Sequence, residues 1–299
     1  MSDVPATPAV AVAPSVRGRS LATDAFRRFF KHPTGLVGLF IVGFFVAVSL
    51  LAPVLRPYDP SSDRDLRARL DPPSAEHWFG ADELGRDLFT RVWHGGRISL
   101  RVGLLAVAFA AVTGTLLGLT AGYVGGWLDT FIVWLMDIVL AFPGVLLAIV
   151  IVATLGPNLT NALIAIAVTQ VPIYTRIVRS VVLSVRETEY VQAAKALGTN
   201  PLGVVLKHVL PNSLSPLIVQ LTLSIGTAIL DVAALGFLGL GAQPPEPEWG
   251  LMIRDGFTQF VRAPWMSIFP GIAIFLSVVG FNLLGDAIRD VLDPRLRDA

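Results

Sequence analysis

The sequence predicts an all-α polytopic membrane protein with six transmembrane helices, on three observations. Apolar residues make up 54% of the 299 and charged residues 15%, at a mean hydropathy of +0.67. A soluble domain carries about 25% charged residues. The apolar residues also come in long blocks, at 35–55, 99–122, 128–154, 160–184, 212–240 and 267–288, and about 20 such residues cross a bilayer. The net charge of +1 argues against nucleic acid as a partner. With no cysteine, there is no disulfide, thiolate nucleophile or cysteine metal site.

Residues 1–34 read as a cytoplasmic tail, rich in Pro, Ala, Val and Ser over its first 20 positions. The block at 35–55 follows Arg27, Arg28 and Lys31 as a signal peptide would. It is too long for such a core and lacks a small-residue cleavage site, so it reads as a retained span. With the loop that follows, it forms a unit over 35–96; residues 97–290 then form a five-helix core, and 291–299 a second cytoplasmic tail. In the third block Pro143 is expected to kink the span.

Even span number puts both termini on one side. With that side inside, the cytoplasmic segments hold thirteen basic residues and the outer ones nine, Arg101 being left at a span end. The five bases ahead of the first span are the better guide, because the outer loop 56–97 balances seven bases with eight acids. The segment 188–211 is therefore cytoplasmic, and the loops at 56–97 and Gln243–Gly250 face outward.

The polar stretch "YVQAAKALGTNPLGVVLKHVLPN", Tyr190 to Asn212, interrupts two apolar blocks. Glu189 to Leu197 is rich in good helix formers, and Gly198 can take the left-handed conformation that ends a helix. Thr199 or Asn200 can cap a second helix with Pro201 at its first position. Pro211 and Asn212 then start the fifth span, with a fixed bend expected at each end. Ala193, Ala194 and Ala196 keep the first helix slim enough for a groove on another protein.

"QAAKALG…KHVLPN" resembles the EAA loop of ABC importer permeases, with Gln192, Ala193, Ala194, Gly198, His208, Leu210 and Pro211 at the motif spacing. Gln192 replaces the usual Glu, and His208 the usual Ile, as is common in peptide importers. Phe79–Leu104, Phe237–Gly250 and Phe281–Arg297 are similar to the C-type subunit of the dipeptide/oligopeptide/nickel importers, so the resemblance runs from about residue 20 to the end. It implies a type I ABC importer permease in a bacterial cytoplasmic membrane. It also implies a homologous second permease, two ATPase subunits or domains and an extracytoplasmic solute-binding protein as partners. Glu189, Gln192, Ala193, Ala194, Gly198, His208, Leu210 and Pro211 would dock into the ATPase.

The chemistry of catalysis is not written in this chain. None of the three lysines, 31, 195 and 207, follows a glycine, so a phosphate loop cannot be built. The chain is read as a pore subunit without an ATPase site or cofactor, with ATP and Mg bound by the partner ATPases. The four histidines, 32, 77, 94 and 208, lack metal-ligand spacing. His94 near Ser99 reads as a loop histidine beside a span, which leaves an intramembrane protease without its nucleophile–base pair. A secondary transporter would need no docking loop. Within the family, peptide is the expected cargo, with nickel, glutathione or an opine as alternatives.

Two carboxylates fall inside apolar blocks, where acids face a bundle interior or a water-filled path. They are Asp137 and Asp231, read either as helix ties or as pathway groups. Both depart from the family pattern. Trp134 stands where an arginine is usual, and Val232 where a glutamate is usual, with the acid one residue earlier, about 100° around the helix. Asp82, Glu83, Arg86 and Asp87 read as a solvated charged face. Two alternatives are a clamp on the outer loop and a contact with the binding protein.

Overall fold

The computed structural model describes residues 26–59 and 62–292. Most of the expected N-terminal tail and residues 293–299 of the C-terminal tail lie outside the described residues, with Arg17, Arg19, Arg295 and Arg297 of the charge count. The helices are α1 Pro33–Leu55, α2 Leu88–Val124, α3 Gly126–Leu140, α4 Gly144–Leu155, α5 Leu159–Val185, α6 Glu189–Ala196, α7 Pro201–Val204, α8 Leu210–Phe237, α9 Trp249–Thr258 and α10 Trp265–Leu292. A π turn, Val205–Val209, joins α7 to α8. Among the described residues there is no strand, only an isolated bridge between Ala81 and Asp87.

Five helices (α1, α2, α5, the continuous α7–α8 and α10) are each long and apolar enough to cross a membrane. The third expected span is not one helix. It breaks between Leu140 and Gly144 with a bend of 90°, and α3 and α4 make a sixth crossing only when counted together. Pro143 has no N–H to continue α3 and keeps the residue before it out of helical conformation.

The helix that carries the second span starts at Leu88, ahead of the apolar block at 99. Asp87 caps it, accepting from the Thr90 N–H at 2.9 Å and hydroxyl at 2.6 Å. Its 37 residues extend about 55 Å against a bilayer core of about 30 Å, so its first turns, rich in Arg and His, rise beyond the apolar layer.

The α2 and α5 helices run parallel along a glycine ridge. A Cβ at Gly114 would lie 2.5 Å from Tyr174 Cβ, one at Gly118 2.6 Å from the Thr175 carbonyl, and one at Gly122 2.7 Å from Val182 Cβ. Spacing by four puts these bare positions on one face and brings the backbones together. Two buried clusters result. One joins α2, α5 and α8 around Ile166 and Tyr174, and the other joins α2, α8, α9 and α10 around Trp249 and Ile229.

Glycines near the end of α8 allow close packing. Gly236 gives room to Glu248, whose Oε2 would lie 2.1 Å from a Cβ there, and Gly241 sits against Gly236. Gly239, at φ +77°, turns the chain after the helix.

Candidate functional site

The loop 188–211 forms the two helices its sequence predicts. Glu189 lies in the first turn of α6 and Lys195 in the last, signs that suit the helix dipole. Gly198 adopts φ +80°, as the left-handed stop requires. Asn200 caps α7, its Oδ1 accepting from the Leu202 N–H at 3.0 Å, and Pro201 takes the first position.

The expected bend at Pro211 is absent, because the π turn carries the helix past it. Leu210 N–H reaches the Val205 carbonyl, one residue further than in an α-helix. This register accommodates a proline that has no N–H to give.

Val191, Val204 and Val209 are wholly buried in the α2–α5–α8 cluster. Gln192 Nε2 donates to the Arg186 carbonyl at 3.0 Å, and Arg186 Nη1 to the Gly122 carbonyl at 3.0 Å. The side chain at the motif's usual Glu position thus ties the loop to its own chain. His208 lies beside the Tyr190 ring at 5.7 Å, and Asn212 donates to the His208 carbonyl at 2.5 Å. What remains uncovered is a patch of Glu189, Gln192, Ala193, Gly198 and Pro211, with Ala194, His208 and Leu210 half-buried beside it. Leu197 at its edge is 87% exposed.

The two intramembrane acids differ. Asp137 accepts from Arg176 Nη2 at 2.6 Å, so α5 supplies the cation that Trp134 does not. Asp129, unremarked in the sequence, accepts both arms of Arg179 at 2.5 and 2.7 Å. These pairs span 39 and 50 residues, and only the register of α3 on α5 reveals them. Among the described residues Asp231 makes no ion pair. It is half-buried on a face with exposed Thr227 and Leu230, whereas Val232 is buried in the core. The carboxylate therefore does not occupy the inward position that the family pattern suggests.

At the opposite end of the bundle, the charged cluster is not a solvated face. The Asp82 side chain is 5% exposed, Arg86 8% and Arg91 3%. Asp82 Oδ2 accepts from Arg86 Nε at 2.7 Å and from Arg91 Nη1, while Oδ1 accepts from the Leu84 and Arg86 N–H groups at 2.8 and 2.9 Å. Glu83 and Asp87 are half-buried, and Asp87 also lies 3.2 Å from His77 Nδ1. The clamp alternative describes this geometry. Arg91, which completes it, was not among the four residues read as the cluster.

Glu248 is also wholly buried and caps α9, accepting from Gly250 N at 2.8 Å, Leu251 N at 2.9 Å and Ser99 Oγ at 2.9 Å. Burial pushes its carboxyl up, against the pull of those donors. Ser99 is thereby occupied, and His94 Nε2 lies 2.8 Å from the Arg56 carbonyl, so these two form no nucleophile–base pair. Among the described residues, no group of three or more His, Asp or Glu could hold a metal ion.

Comparison with known proteins follows this geometry. Residues 114–298 match the family described as binding-protein-dependent transport system inner membrane component. Residues 20–73 match the N-terminal TM domain of oligopeptide transport permease C. The chain is 53% identical over 275 residues to the dipeptide transport system permease protein DppC of Alkalihalophilus pseudofirmus, covering 92% of this chain and 90% of that one. It is 48% identical to the probable D,D-dipeptide transport system permease protein DdpC of Escherichia coli, covering 88% of each. It is 42% identical to the glutathione transport system permease protein GsiD of Pectobacterium atrosepticum, covering 96% of this chain and 97% of that one. Among solved structures, the MetNI methionine ABC transporter in an inward-facing conformation superposes with a TM-score of 0.55 at 19% identity, covering 68% of this chain and 96% of that one. The likeness is one of fold, the type I ABC importer permease fold. The chain belongs to the family of binding-protein-dependent transport system inner membrane components, as a C-type permease subunit.

Proposed function

We propose that this subunit forms half of the membrane pathway of an ATP-driven importer of short peptides, with both termini in the bacterial cytoplasm. The observation that carries the reading is the 189–211 loop. Its valines fix it rigidly to the bundle, while a face of small side chains is left uncovered for a partner. A rigid link of this kind transmits the closing of an ATPase dimer to the spans. The partners are a homologous permease, two ATPase subunits or domains that hold ATP and Mg, and a solute-binding protein on the outer side. Similarity to permeases named for dipeptides and D,D-dipeptides supports peptide cargo. Glutathione, itself a tripeptide, is the second reading, favoured by similarity over nearly the whole chain.

The test is reconstitution with the partner subunits in liposomes. Uptake of a labelled dipeptide should require ATP and every subunit, and the pure chain should bind no nucleotide. Nucleotide binding by the pure chain, or ATP-driven uptake of nickel but not of dipeptide, would overturn the reading.

Asp231 belongs to the pathway in this reading, whereas Asp137 is a helix tie neutralised by Arg176. Asp231→Asn removes charge but keeps size. It should slow uptake of free-amine peptides several-fold in a complex of unchanged thermal stability, and normal uptake of a cationic peptide would remove Asp231 from the pathway.

A further inference from the structure

Around the start of the apolar part of α2 the bundle opens into a cleft of about 480 Å³. Small-ligand sites occupy roughly 300–1,000 Å³. Its floor is aliphatic, from Val102, Leu105 and Leu163 on α2 and α5, and its walls are polar, from Tyr58, Arg97, Arg101 and Glu246. Counting about 30 Å back along α2 from Val124 reaches the turn after Arg101. In the proposed orientation the two arginines therefore sit at the outer boundary of the apolar layer, where cargo enters.

These arginines stand apart. On α2, α5 and the turn that follows α5, Arg91, Arg176, Arg179 and Arg186 each pair with a carboxylate. Among the described residues, Arg97 and Arg101 pair with none, although both are exposed on the same helix face. Like charges four residues apart repel, so the site favours an incoming anion. Guanidinium forks match a carboxylate in particular. Glu246 lines the same cleft and makes no ion pair with either arginine. Glu246 makes the cleft dipolar rather than uniformly cationic. That disfavours phosphate and suits a ligand with an amine as well as a carboxylate.

We propose that Arg97 and Arg101 receive the C-terminal carboxylate of a short peptide at the outer mouth of the pathway, with Glu246 facing the amine. This deepens the peptide-importer reading and rests on it.

The experiment uses the whole complex in liposomes with its own binding protein. Uptake of a labelled dipeptide is compared with that of its C-terminal amide, for wild type, Arg97→Gln/Arg101→Gln and Arg101→Lys. The binding protein's preference is common to all three and cancels when the acid-to-amide ratios are compared. The double variant should lower that ratio tenfold or more, and the lysine variant should lower it less. Where wild type refuses the amide, peptide moved per ATP decides instead, and a tenfold fall in the double variant is expected. An unchanged ratio, or an unchanged yield per ATP, overturns the site while leaving the importer reading intact. Equal losses of acid and amide overturn it too, since they mark a role in folding, lipid contact or binding-protein docking. No peptide uptake by wild type overturns the peptide reading and the site together.

Discussion

Asp82→Ala is expected to destabilise the outer end of the bundle by about 3–5 kcal/mol, the range for stranding a buried charge. The carboxylate uses both oxygens twice, on two backbone N–H groups and two guanidinium groups. Its removal leaves Arg86 and Arg91 together, buried and without a counterion in contact. Asp255 remains within electrostatic reach, since Arg91 and Arg86 act on its carboxyl. Burial outweighs them and pushes that carboxyl up, so Asp255 answers only weakly. Asp82→Asn should fare little better, because its amide would point a donor at guanidinium donors. Adding Arg91→Met to Asp82→Ala should recover part of the loss, as replacing a buried pair costs less than breaking one. The measurements are thermal unfolding of the purified subunit and proteolysis of residues 62–87. A wild-type midpoint in Asp82→Ala would show that the two arginines reach water.

That cluster also shows where sequence reading stops. Charges of both signs within ten residues look like a wet surface, yet here they neutralise one another and sink beneath the loop. Single long apolar runs were legible, because a span needs only length and composition. The first turns of α2 were not, since Arg91, His94 and Arg97 hide a helix whose other face packs on Trp249. The loop 188–211 was readable almost residue by residue, because Gly198, Asn200 and Pro201 act on their own neighbours. Pro211 misled for a related reason. A proline forbids one hydrogen bond, but a π turn omits that bond and the helix runs on through it. Arg176 with Asp137, and Arg179 with Asp129, depend on how two helices slide past each other, and no local pattern records that.

Ala193→Trp is expected to abolish coupling while leaving the subunit folded, with uptake falling tenfold or more, about 1.4 kcal/mol or above in the coupling contact. Ala193 is exposed on α6, and the helix is anchored by Val191 on its other side. At this exposed position the isolated subunit leaves an indole in solvent. The loss must therefore arise against a partner groove shaped for a methyl group. Gly198→Val acts by another route. No atom lies within 4 Å of a Cβ at Gly198, so crowding is not the obstacle. The obstacle is φ +80°, a conformation that is strained for a branched L-residue by at least about 1–2 kcal/mol. Relief comes by rotating α6 against α7, which moves the docking face while the buried valines hold the bundle. Thermal midpoints of the isolated subunit should separate the two, with Ala193→Trp near wild type and Gly198→Val lowered. In the assembled complex both should lose peptide-stimulated ATP hydrolysis and uptake together, or release the ATPase on purification. Gly198→Asn supplies the control, because asparagine tolerates the left-handed region and should restore most of the uptake that valine loses. Wild-type uptake in Ala193→Trp would remove α6 from the interface with the motor. Failure of Gly198→Asn beside an intact Gly198→Val would remove backbone conformation as the cause.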